Sequence, residues 1–125
     1  MVIIDSDILI TAYKLRHSPE HAEVMRLVET NEAATVGIIL AEVLRGARNE
    51  TEFAEMSDEL SAMHFISGGR PAWLLASRIL FELKRGGQII PTPDAIIAAE
   101  AILSDSEVYG HDEHFRRVQG LRLHA

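Results

Sequence analysis

The chain has 125 residues, 47 % hydrophobic and 25 % charged, the size and make-up of one globular domain. It contains no cysteine, which excludes disulfides and thiolate metal sites, and its opening lacks the basic stretch and long apolar run of a secretory leader. With 12 Lys+Arg against 19 Asp+Glu the formal charge is −7, the wrong sign for a protein that grips phosphates over a broad basic surface.

No apolar stretch approaches the ~20 residues of a membrane helix, so the expectation is a cytoplasmic, single-domain protein over 1–125. All but two of the 12 basic residues are Arg. A cluster of carboxylates holding divalent cations would reverse the negative field locally.

In chain order, VII at 2–4 reads as a short buried strand running into Asp5. Asp7 is placed to cap a helix over 8–16. Ser18-Pro19-Glu20 is a helix start, with Ser as N-cap, Pro in the first turn and an acid behind it, and the helix should run to about Thr30. A second strand is expected at 34–36 and a helix at 38–47. Phe53, Met56, Leu60 and Met63 recur at spacings of three and four, which predicts a helix over 50–62. A third strand at 64–66 is closed by Gly68-Gly69. A long amphipathic helix over 71–85 ends at Gly86-Gly87. Thr92-Pro93-Asp94 then opens AIIAAEAIL, a helix so apolar that it should be buried. Strands at 107–109 and 121–123 complete the pattern. Strands alternating with helices predict an α/β fold with a mainly parallel central sheet of about four to five strands.

Four acids interrupt or border apolar segments. Asp5 ends the first strand, Glu42 lies inside IILAEVLRGA, Asp94 opens the apolar helix and Asp112 follows the strand around Val108-Tyr109. In a parallel sheet the carboxyl ends of the strands open onto a common crevice, and Asp5 and Asp112 belong on that edge. On a helical wheel Glu42 shares one narrow polar strip with Arg45 and Gly46. Local roles are available too: Asp94 and Asp112 as helix caps, Glu42 with Arg45 as a surface pair. A buried carboxylate is costly unless partnered, and Asp5 abuts the core strand. Packed carboxylates suit hard cations such as Mg²⁺, Mn²⁺ or Ca²⁺. Metal-dependent phosphodiester or phosphate chemistry is the reading that the residues support by themselves.

The set also resembles a known family. VIIDSDILI resembles the opening of PIN-domain ribonucleases, AEVLRGA their second motif, PDAIIAAEA their third, and HDEHFRRVQGLRL their ending. All four occur in the family's order, and the length is similar to that of VapC-type toxins of toxin–antitoxin pairs. The resemblance implies a single PIN-like domain and a metal-dependent endoribonuclease. Asp5, Glu42, Asp94 and Asp112 match its acidic quartet, which would hold one or two Mg²⁺ or Mn²⁺ ions so that a metal-activated water attacks RNA. It further implies a cognate antitoxin and a homodimer. Gly110 stands where the family often has Thr or Ser, and Val36 and Ile39 where it often has polar residues.

Ser6 is placed to steady a ligand or a water beside Asp5. His111 and His114 invite a zinc reading, but no third His lies near them. His114 before Phe115 reads as structural or as an RNA contact. Trp73 and Phe81 read as core or dimer interface, and Arg70, Arg78 and Arg85 as RNA, antitoxin or solvent contacts. Two other functions compete: a PIN-like domain that binds without cleaving, and a haloacid-dehalogenase-like phosphatase using Asp5 as nucleophile. The latter needs a downstream Lys, and only Lys14 and Lys84 exist.

Overall fold

The computed structural model describes residues 1–125. Five strands, β1 (Val2–Ile4), β2 (Ala33–Val36), β3 (His64–Ile66), β4 (Glu107–Tyr109) and β5 (Arg122–Leu123), form one sheet in the order β3-β2-β1-β4-β5. Every pairing is parallel, so the sheet is wholly rather than mainly parallel. β1 is central. It pairs with β2 on one side and β4 on the other, Ile3 opposite both Ala34 and Val108. Because the chain leaves β1 toward β2 and returns to β4 on its other flank, the strand order reverses there, and a crevice opens at the carboxyl ends.

Six helices cover the sheet: α1 (Ser6–Lys14), α2 (Pro19–Glu29), α3 (Gly37–Leu44), α4 (Glu50–Ser61), α5 (Gly69–Arg85) and α6 (Thr92–Leu103). A 3₁₀ turn over Glu113–Arg117 follows β4. α2 begins as expected, with Ser18 Oγ accepting the His21 N–H at 3.1 Å. α1 starts earlier than predicted. Its cap is Asp5, not Asp7: the Asp5 carboxylate accepts the Ser6 N–H at 2.9 Å, and Asp7 lies in the first turn. α6 starts two residues before Asp94, with Pro91 at its cap position, so Asp94 is a first-turn residue and not the cap. Asp112 does cap, accepting the His114 N–H at 2.9 Å. α3 stops at Leu44, short of the predicted 47.

The main core joins the sheet to α1, α2 and α3 through Ile3, Ile4, Ile8, Leu27, Ile39 and Val108. Burying an Ile or Leu side chain stabilises by about 1.5–3 kcal/mol. α6 is buried along its length, Ala95 to Ala101 without a break. Its small residues let α5 pack closely through Ala72 and Ala76. The core alternative for Trp73 and Phe81 fails: both are more than half exposed on α5, and Phe81 lies under Arg78 and Arg85. Trp73 cannot point inward because Ala72 and Ala76 occupy the face of α5 that meets α6.

Candidate active site

The Asp5 N–H donates to Tyr109 O at 2.9 Å, tying the end of β1 to the end of β4. The Asp5 side chain is only 5 % exposed. Burial pushes its carboxyl up from 3.8 to about 7, against the Ser6 N–H, which favours the charged form; Asp7, Asp94 and Glu42 push it further. Those last three contributions place Asp5, Glu42 and Asp94 in one electrostatic neighbourhood, although they come from α1, α3 and α6.

Glu42 is presented by α3, whose Ile39 and Val43 face the core. Partial burial raises its carboxyl; Ser6 opposes this, the Asp94 and Asp7 charges add to it, and Arg45 opposes it. Asp94 is likewise raised by burial, with the His114 hydrogen bond and charge opposing and Asp112 and Asp7 adding. The four acids named from the sequence therefore fall in one region. Glu42 acts on Asp5 through its charge, and Asp112 acts on Asp94.

Asp112 belongs to a tighter group. His114 Nδ1 lies 2.9 Å from Asp94 Oδ2 and 2.8 Å from Asp112 Oδ1. One atom from each of these three residues lies within 4.8 Å of the others. Asp94 is thus shared between the Asp5–Glu42 side and the Asp112–His114 side. The zinc pairing of His111 with His114 does not occur, since His111 is exposed and turns toward Glu20 Oε1 at 3.5 Å.

Two contributors were not legible as such. Asp7 read as a cap, but it is exposed beside the site and acts on Asp5, Glu42 and Asp94 through its charge. The signal was present in DSD, which puts a second acid two residues after Asp5, in the first turn of α1. Gly110 is the other. A Cβ built there meets Phe115 Cε2 at 3.1 Å, Asp5 Cβ at 3.2 Å and Asp5 Oδ2 at 3.4 Å. The missing side chain is what lets the β4 end lie against the Asp5 carboxylate. Val36 and Ile39 are buried in the core, so no hydroxyl is wanted at either.

The donors are carboxylate oxygens with one imidazole nitrogen, and nothing positive sits against Asp5. A set of half-buried acids that raise one another's pKa is a set suited to a divalent cation, which would relieve the repulsion. The residues present therefore fit a hard or borderline metal ion.

Fold and site together define an α/β protein with a carboxylate-lined crevice at the carboxyl edge of a parallel sheet. The PIN domain family model matches residues 2–121, and the chain belongs to that family. No curated protein matches it in sequence. Among solved structures it is similar to VapBC2 from Rickettsia felis bound to a DNA fragment from their promoter, at 22 % identity and TM-score 0.85, covering 99 % of this chain and 98 % of that one. DNA-bound VapBC from Salmonella typhimurium gives 23 % and 0.85, covering 98 % and 96 %. FitAcB from Neisseria gonorrhoeae gives 19 % and 0.74, covering 99 % and 97 %. At these identities the likeness is one of fold.

Proposed function

We propose that this chain is the toxin of a type II toxin–antitoxin pair of the VapC kind, a metal-dependent endoribonuclease. What most supports the proposal is that Asp5, Glu42 and Asp94, from three different elements, act on one another through their charges, with Asp5 at the carboxyl end of the central strand. Asp5 and Asp94 are the principal holders of the ion, with Glu42 and Asp112 completing the acidic set. Mg²⁺ or Mn²⁺, as one ion or two, supplies a more acidic water for attack and offsets charge on the leaving oxygen.

The chain's own residues do the rest. The Ser6 N–H fixes the Asp5 carboxylate at 2.9 Å, and the Ser6 side chain favours the charged form of Glu42. Arg45 sits beside Glu42 without an ion-pair partner of its own, available to an RNA phosphate. It supplies local positive charge that the −7 total conceals. Lys14 and Lys84 are both exposed, which speaks against the phosphatase alternative, whose lysine belongs beside the nucleophile.

The antitoxin is the expected protein partner. An apolar groove of about 440 Å³ between α1, α2 and α4 is open to it, floored by Leu9, Val24, Val28, Met56, Leu60 and Met63. A partner helix laying its apolar face there would follow a common recognition mode. The structural neighbours in the VapBC group support that assignment. The exposed Trp73, Leu74 and Phe81 on α5 are the surface we assign to a homodimer. No helix is long and apolar enough to cross a membrane, and action on RNA places the protein in the cytoplasm.

The test is RNA cleavage by the purified, antitoxin-free protein with Mg²⁺, with Mn²⁺ and with chelator, beside Asp5→Asn. Cleavage that requires metal and is lost in the variant is the expected result. Failure to cut any RNA while folded and metal-loaded would shift the function to a PIN-like domain that binds without cleaving.

A further inference from the structure

The one nitrogen in the site is the feature that the acidic quartet does not account for. His114 enters from the 3₁₀ turn with its Nδ1 toward Asp94 Oδ2 at 2.9 Å and Asp112 Oδ1 at 2.8 Å. Its ring is one-third exposed, as Asp112 is, whereas Asp94 is 15 % exposed, so His114 and Asp112 together form the outer side of the group. The orientation is not accidental. The Asp112 carboxylate accepts the His114 backbone N–H at 2.9 Å and thereby holds the turn that aims the ring. Phe115, buried at 1 %, anchors the next residue in the core.

The spacing carries chemical information. Two ligands at neighbouring corners of an octahedron with bonds of about 2.1 Å lie about 3.0 Å apart. The separations of 2.8 and 2.9 Å from Nδ1 to the two carboxylate oxygens are hydrogen-bond lengths, and they are also close to such edges, so the same three atoms suit a proton or an ion. An all-carboxylate site suits Mg²⁺, while an imidazole nitrogen in the set favours a transition ion.

We infer that His114 is a nitrogen ligand of the divalent-cation site, joining Asp94 and Asp112 through Nδ1, and that it biases this protein toward Mn²⁺ over Mg²⁺. Coordination uses the Nδ1 lone pair, which is free in the neutral tautomer that carries its proton on Nε2. This inference rests on the proposal that the crevice is a metal site. It goes further by adding a residue outside the acidic quartet and a choice of ion.

The experiment is pulsed electron paramagnetic resonance of Mn²⁺ bound to the full chain, made once with natural histidine and once with ¹⁵N-histidine. His114→Asn is measured alongside; it keeps the backbone N–H that Asp112 accepts. The expected result is a nitrogen coupling that changes with the label and vanishes in the variant. Calorimetry should show Mn²⁺ affinity falling about tenfold in His114→Asn, with Mg²⁺ affinity changed less than about threefold. Bound Mn²⁺ that Asp94→Asn releases but that shows no nitrogen coupling would overturn the role of His114 and leave the metal site standing. Equal losses for both ions in the variant would overturn the bias. No Mn²⁺ binding at millimolar concentration would overturn this inference and the metal reading together, and metal-free cleavage would then have to be sought.

Discussion

Replacing Asp5 by Asn should make the metal-free protein more stable at neutral and alkaline pH. Burial holds the folded-state carboxyl at about 7, against 3.8 in an open chain. At about 1.4 kcal/mol per pH unit, that gap makes the ionised Asp5 a burden of about 4 kcal/mol above pH 7. The sign follows from proton binding. Between 3.8 and about 7 the folded chain holds a proton that the unfolded chain has lost, so stability falls as pH rises through that window. Asn keeps an oxygen for the Ser6 N–H and carries no charge, so the burden disappears. An amide left partly unpaired costs about 1–3 kcal/mol in return, and the net gain is about 1–3 kcal/mol near pH 8. Thermal unfolding with chelator, at several pH values, reads this directly. The difference between the proteins should shrink as pH falls from about 7 toward 3.8. Mg²⁺ or Mn²⁺ at about 100 times its dissociation constant should stabilise the wild type by about 2.7 kcal/mol and leave the variant unmoved. A variant less stable than wild type at pH 8 without metal, or a difference independent of pH, would refute the argument that Asp5 is held at an electrostatic cost.

Other outcomes follow from single contacts. Gly110→Ser should destabilise by about 1 kcal/mol, because its Cβ meets Phe115 at 3.1 Å and Asp5 at 3.2 Å; it should also weaken Mn²⁺ binding by calorimetry, since the Asp5 carboxylate must shift. Glu100 is buried and accepts the Gly68 N–H at 2.7 Å at the start of α5, so Glu100→Ala should cost about 1–3 kcal/mol in denaturant titration. His124 bridges Glu23 and Glu107, and although burial opposes its charge, those two hydrogen bonds raise its pKa above 6.5. The stability it adds is therefore full below pH 6.5 and lost as pH rises through the folded value; His124→Ala should remove that pH dependence, and hydrogen exchange of β5 should speed up at low pH.

Much of this protein was determined by local sequence. Short-range physics decided where the elements lie. Ser18-Pro19 starts α2 because a hydroxyl and a ring that fixes φ suit a helix N-terminus, and AIIAAEAIL is buried because no face of it is polar. The acids Asp5, Glu42, Asp94 and Asp112 were legible because each breaks an apolar run at a cost that a core segment does not bear without cause. Which of Asp5 and Asp7 caps α1 was not legible, because both are acids near a helix start and only the tie of Asp5 to Tyr109 decides it. Trp73 and Phe81 turned outward for a similar reason: spacing marks a face of α5, but only the packing of Ala72 and Ala76 on α6 says which face is covered. The turn of His111 toward Glu20, the charge of Asp7 on Glu42 and Asp94 and the space that Gly110 leaves for Asp5 all depend on distances between residues far apart in the chain. Local propensity carries no information about such distances, since they are set only when β1 and β4 pair and bring their carboxyl ends together.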